Sequence, residues 1–105
     1  MIKFMGFFEA SPGRDPEEVY KYWREKHTLW VKDKLLPELK EYKTCRVIEK
    51  LGDFDTYGFS QLGFNDLESA RKAVRRLLDA PPDKFIKEYI TNLRRIFVQE
   101  EKVEL

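Results

Sequence analysis

Residues 15–36 read DPEEVYKYWREKHTLWVKDKLL, and the rest of the chain is organised around them. The stretch predicts one uninterrupted helix. Asp15 is an acceptor for the free N–H groups of a first turn, and Pro16 takes the first helical position, where no donor is needed. Glu18, three residues after Asp15, completes a capping-box pattern, and Glu17 and Lys21 stand four apart in the favourable order. Leu36 ends the helix, because a residue before proline is pushed out of helical geometry. At about 1.5 Å per residue such a helix is roughly 30 Å long, enough to cross a small sheet.

At about 100° per residue, Val19, Tyr20, Trp23, His27, Trp30 and Val31 fall within one arc of about 120°. Lys21, Arg24, Glu25, Thr28 and Lys32 fall outside it. His27 is the only histidine, and it lies near the middle of the apolar arc. Two readings are open. One is a core histidine with a single hydrogen bond; the other is a reactive imidazole in an aromatic-lined pocket.

Working outward, Ile2 to Glu9 (IKFMGFFE) reads as a strand closed by the breakers Ser11-Pro12-Gly13. Ile2, Phe4, Gly6 and Phe8 share one face, Met5 and Phe7 the other, and neither face is polar at its centre. After the long helix, Glu41 to Lys50 and Asp55 to Phe64 read as two strands of a hairpin about Gly52-Asp53. Asp66 to Leu78 is a second helix with Leu67, Ala70, Val74, Leu77 and Leu78 as its apolar stripe, ended by Ala80-Pro81-Pro82. Asp83 to Ile90 reads as a short helix that turns Phe85, Ile86, Tyr89 and Ile90 inward, and Arg95 to Glu101 as a last strand. The order β-α-β-β-α-β is the ferredoxin-like α+β arrangement: a four-stranded antiparallel sheet with two helices on one face, in one domain over residues 1–105. Two helices cover only one face of a sheet whose first strand is apolar on both. A homodimer that buries the helix-free face is therefore expected.

Composition narrows the function classes. Of 105 residues, 42% are hydrophobic and 14% aromatic, which predicts a packed globule. Twenty basic residues against nineteen acidic give +1, so no net field draws polyanions. The single Cys45 excludes an internal disulfide and any multi-cysteine metal site, in keeping with a reducing, cytoplasmic setting. One histidine and one cysteine argue against a protein-supplied zinc site, no glycine-rich phosphate loop is present, and no stretch approaches a membrane span.

Several segments together resemble a known family. They are Tyr22-Trp23-Arg24-Glu25-Lys26-His27, Leu36-Pro37-Glu38-Leu39-Lys40-Glu41-Tyr42, DTYGFSQLGFNDLESA at 55–70, Asp83-Lys84-Phe85 and Arg95-Ile96-Phe97-Val98. The chain is similar to the EthD-like branch of the dimeric α+β barrel proteins over nearly its whole length, and the tryptophan-x-x-x-histidine helix is the most specific part. The resemblance implies two sheets packed face to face in a homodimer, with a pocket between each sheet and its helices. It also implies relatives that act without a cofactor as monooxygenases, cyclases or isomerases on small, often aromatic molecules, with the histidine matched by His27 as acid/base.

Burial disfavours the charged form of an imidazole, and a neutral imidazole suits a general base that removes a proton alpha to a carbonyl or from a phenol. His27 is the candidate base, and Tyr20, on the same helical face, is the first candidate to stabilise developing negative charge; Tyr57, Tyr42 and Ser60 are further ones. Trp23, Trp30, Tyr57 and Phe85 are the candidate substrate-binding residues. No cofactor is expected, although haem ligation by His27 is a minor alternative. Two other function classes compete. One is a non-catalytic dimeric binder of small apolar ligands. The other is an RNA-recognition module, because Thr56 to Leu62 (TYGFSQL) resembles the aromatic third-strand signature. Asp55 and Thr56 where a basic residue and glycine belong, and Ser60 and Leu62 where a hydrophobic and a final aromatic residue belong, argue against nucleic acid.

Overall fold

A computed structural model describes residues 1–105. Its strands are β1 (Ile2–Ala10), β2 (Glu41–Arg46), β3 (Gly58–Phe64) and β4 (Ile90–Gln99). They form one antiparallel sheet in the order β2-β3-β1-β4. The helical elements are α1 (Pro16–Tyr22), a π-helical turn (Trp23–His27), α2 (Thr28–Leu35), α3 (Leu67–Asp79) and a second π-helical turn (Phe85–Tyr89). This is the ferredoxin-like α+β fold. No helix is long and apolar enough to cross a membrane.

Three strand boundaries differ from the expectation. β2 stops at Arg46 rather than Lys50 and β3 begins at Gly58 rather than Asp55, so residues 47–57 form a loop. β4 begins at Ile90, before the expected Arg95, because it crosses an irregularity. Pairing with β1 shifts between Phe7 and Glu9, and Asn92 takes a φ of 53° there, a conformation that asparagine tolerates. The Asn92 amide donates to the Glu9 carboxylate across the bulge.

The two faces of β1, equal on paper, separate cleanly. Phe4 and Phe8, 5% and 3% exposed, point to the helices. Met5 and Phe7 lie on the helix-free face, where Phe7 stacks on its cross-strand neighbour Phe59 at 5.3 Å. Ile96, opposite Met5, extends this apolar strip. Lys3 shares that face with its ammonium enclosed between Glu41 at 3.0 Å and Glu100 at 3.6 Å.

The first helix begins as its sequence dictates, with the Asp15 carboxylate accepting from the Glu17 N–H at 3.1 Å. It is not uniform, however. Its core-facing residues Val19, Trp23, His27, Val31 and Leu35 recur every fourth position. In an ideal α-helix such a series drifts by about 40° per step, roughly 160° from first to last. The π-helical turn removes part of that drift: the Thr28 N–H reaches back to the Trp23 carbonyl, five residues earlier, so each residue in the turn advances less. The helix thereby feeds Val19 and Trp23 into one core cluster with Phe8, Phe85 and Ile90. It feeds Val31 and Leu35 into another with Phe4, Leu62, Phe64 and the inner side of α3.

On α3 that inner side is Ala70, Ala73, Val74 and Leu77; Leu78, expected inside, is 54% exposed, since the turn is used up by Ala73 and Leu77. Trp23 lies flat over Gly58. A β-carbon built at Gly58 would sit 2.8 Å from the indole edge and 2.9 Å from the Cys45 carbonyl, so the indole needs a glycine beneath it. Gly58→Ala is expected to destabilise the chain by ~1–3 kcal/mol, read from denaturant midpoints.

Arg76 is also more than a solvated charge on α3. Its guanidinium donates to the Lys34 and Leu36 carbonyls at 2.9 and 3.1 Å, where α2 ends, and to the Glu38 carboxylate at 2.5 Å. That hydrogen bond leads the causes that hold Glu38 down from its ordinary 4.5 to about 2. A depressed carboxyl contributes stability above its unfolded value and loses it as the folded form titrates. Stability is therefore expected to fall as pH drops from about 4.5 toward 2, and Glu38→Gln should flatten that part of the profile of melting temperature against pH.

Candidate active site

His27 closes the first π-helical turn and faces the loop that follows α3. Ala80 takes extended backbone before Pro81-Pro82, which delivers Asp83 to the start of the second π-helical turn. Asp83 has two duties there. Its Oδ1 accepts from the Ile86 N–H at 3.1 Å, and its Oδ2 stands 2.7 Å from His27 Nδ1. A carboxylate only accepts, so Nδ1 carries the proton, and in the neutral ring the lone pair is then on Nε2. Nε2 has no partner within the chain, and no buried side-chain nitrogen or oxygen lacks one. Nε2 is therefore accessible. Both side chains are nearly enclosed, 12% and 11% exposed.

The imidazole borders a cavity of about 40 Å³ between the sheet and the helical layer. Phe4, Gly6, Ser60 and Leu62 form its floor; Trp30, Phe85 and Leu93 are among its walls. The Phe85 ring lies 4.5 Å from the imidazole and Trp30 stacks on it at 5.7 Å. Trp30, Leu77, Ile86, Leu93 and Arg95 also line a cleft of about 220 Å³ outside it, so the two adjoin across these residues. The inner space alone holds only a few water-sized groups. Inner cavity and cleft together approach the roughly 300 Å³ at which small-molecule sites begin.

Of the residues singled out in the sequence, His27, Trp23, Trp30, Phe85 and Ser60 line this cavity. Trp23 is 1% exposed and packs edge-on against Phe8 at 4.8 Å, so it is mainly wall and core. Tyr20 does not meet His27. Its ring carries the Arg46 guanidinium at 4.5 Å, with Glu17 pairing the same arginine at 2.6 Å. Tyr57 flanks that arginine at 5.7 Å, and its hydroxyl donates to the Pro16 carbonyl at 2.7 Å. The causes differ: a wheel turned at a constant 100° ignores the π-helical turn between Tyr20 and His27, whereas Tyr57, in the loop before β3, lies at the Trp23 end of the helix. Tyr42 lies on β2, where burial first and the Asp83 charge second push its phenol well above the ordinary range, against a smaller opposing pull from Arg24. It does not line the His27 cavity, and its side chain borders a separate cleft with Arg24 and Thr44.

Asp83 is the candidate site residue that the histidine's helix could not disclose. Two signals were present: the Pro-Pro-Asp breaker, and an aspartate three residues before Ile86, the spacing of a side chain that caps a turn. No three His, Cys, Asp or Glu side chains converge as a metal site. The arrangement can take a proton at Nε2, hold the resulting imidazolium against Asp83, and return the proton to a molecule in the cavity.

Known structures share this architecture. An ethyl tert-butyl ether d (EthD) family protein from Bacillus halodurans superposes with a TM-score of 0.67 over 96% of this chain and 99% of its own, at 18% identity. The fold is EthD-like. The same EthD-like frame occurs in SnoaB, a cofactor-independent oxygenase from Streptomyces nogalater (TM-score 0.62, 97% and 94% covered, 11% identity). It occurs again in a dimeric protein of ferredoxin-like fold from Bacteroides fragilis (TM-score 0.62, 94% and 95% covered, 10% identity). No family profile and no curated protein sequence matches the chain.

Proposed function

We propose that the chain is a homodimeric enzyme that uses His27 as acid and base on a small apolar or aromatic molecule, in cofactor-independent chemistry of the isomerase, cyclase or monooxygenase type. One observation carries this reading: an imidazole oriented by a carboxylate at 2.7 Å, with its other nitrogen accessible beside a largely apolar cavity. A histidine kept only for packing needs one hydrogen bond, not an oriented partner plus a free nitrogen. In the proposed step Nε2 removes a proton from an activated C–H or from a phenol. Asp83 stabilises the imidazolium, and the same proton returns to a neighbouring position in an isomerisation or cyclisation. In the oxygenase variant the carbanion adds dioxygen, the adduct is protonated to a hydroperoxide, and loss of water leaves a carbonyl at that carbon, so a CH2 group of the substrate supplies all the electrons. The inner space admits only the reacting edge of the molecule, and the rest lies in the cleft against Trp30 and Leu93.

The test needs no knowledge of the natural substrate. Small enolisable ketones and phenols are incubated with the protein in deuterium oxide, and exchange at the acidic C–H is followed by NMR. Exchange that depends on His27 is the expected result. Binding without exchange above the His27→Gln background would overturn catalysis in favour of a ligand carrier.

A further inference from the structure

Arg95 is the only lysine or arginine that lines the His27 cavity, and it also lines the outer cleft. Sheet register places it opposite Gly6, and Gly6 opposite Ser60, so the three form a polar row across the cavity floor. The next row toward one end is Phe97, Phe4 and Leu62, which is wholly apolar. Gly6 keeps the row open. A β-carbon there would reach to 3.5 Å from the Ser60 hydroxyl and 3.8 Å from Leu93, taking up space that now belongs to the cavity.

Arg95 combines that position with the lack of a partner. Arg46 is matched by Glu17 and Arg76 by Glu38, and these pairings raise both guanidinium pKa values. Arg95 makes no hydrogen bond or ion pair within the chain, and although partial loss of hydration lowers its pKa, the residue stays open to solvent on the edge strand β4. An anion arriving from solvent can therefore reach the guanidinium and form charge-assisted hydrogen bonds that no group of the chain competes for.

Resting on the small-molecule site described above, we propose that Arg95 is its anion-recognition residue. The molecule acted on by His27 then carries an anionic oxygen, a carboxylate or an ionised phenol, that pairs with Arg95 while its reacting carbon meets Nε2. Charge on the substrate selects it from neutral analogues of the same shape. The same guanidinium, with two parallel N–H donors, fixes its orientation in the cleft.

The test compares benzoate, its neutral isostere benzamide, and 4-nitrophenolate at pH 8, titrated into the full chain at low salt while His27 and Trp30 resonances are followed. Wild type is expected to bind benzoate or 4-nitrophenolate at least about tenfold more tightly than benzamide, and which of the two is preferred identifies the anion. Arg95→Gln should remove the preference and Arg95→Lys should keep part of it. Equal binding of benzoate and benzamide beside His27, or a preference that survives Arg95→Gln, overturns the role of Arg95 and leaves that of His27 standing. No binding of any probe beside His27 overturns both. If Arg95→Gln does not fold, the ratio of benzoate to benzamide in wild type still decides.

Discussion

His27→Gln is expected to lower turnover by about 10²–10⁴-fold, the usual contribution of a positioned acid or base, while the chain stays folded. The glutamine amide can still donate to Asp83, so the melting temperature should move little. The kinetic loss should fall on kcat rather than KM, because Phe85, Trp30 and the cleft that hold the ligand are untouched. Asp83→Asn is the companion experiment. It keeps an acceptor for the Ile86 N–H but turns an amide NH2 toward Nδ1, which removes the charge and favours the tautomer with the proton on Nε2, so activity should fall about as far as in His27→Gln. His27→Phe is expected to behave differently again. It strands a carboxylate that is 11% exposed and costs ~1–3 kcal/mol of stability. Adding Asp83→Asn to His27→Phe should recover most of it. If the double variant melts no higher than His27→Phe, the pair contributes to folding in some way other than through its charge. If His27→Gln retains full turnover, catalysis by His27 is wrong.

Phe7→Lys is expected to dissociate a homodimer, raising its Kd by about 100-fold or more, as burial of an unpaired charge at an interface centre does. The helix-free face carries the stacked Phe7 and Phe59 and Met5, all partly exposed, together with the half-exposed Ile96. Sedimentation of wild type and variant at micromolar concentration reads the result. Phe8→Lys should instead unfold the protomer, because Phe8 is 3% exposed and packs edge-on against Trp23 and Phe85. A wild-type chain that sediments as a monomer would overturn the dimer. Phe7 and Phe59 would then be free aromatics on an open sheet, the geometry on which single-stranded RNA stacks, and salt-dependent RNA binding would be the next measurement.

The β-α-β-β-α-β order was legible because the hydrophobic period changes from two to 3.6 and back between strong breakers. What the chain does over long separations was not legible. His27 could be picked out as the histidine on an apolar arc, but its partner lies 56 residues away, in a segment that read as the start of a packing helix. Phe7 and Phe8 could not be assigned to faces because both alternations of β1 are apolar, and only the pairing with β3 and β4 separates them. Arg95 stood at the expected start of the last strand. Its meaning depends on lying opposite a glycine, which is a matter of register. Tyr20 shows the opposite kind of error, in which a local rule was trusted across a stretch where the helix departs from it.

The π-helical turn at Trp23–His27 also bears on which changes of chain length this protein tolerates. A turn closed by five-residue hydrogen bonds is an α-turn with one residue too many. Deleting one exposed residue within it, such as Glu25, would let the ladder close as an ordinary α-helix. The two halves would then keep their phase, because the extra residue is absorbed within the turn and not passed on to the flanking helix. Trp23 would keep its seat over Gly58, and Val31 and Leu35 theirs in the core, whereas the same deletion within α1 or α2 would turn one half by about 100° against the other. The turn is the place in this helix that would accept a gap.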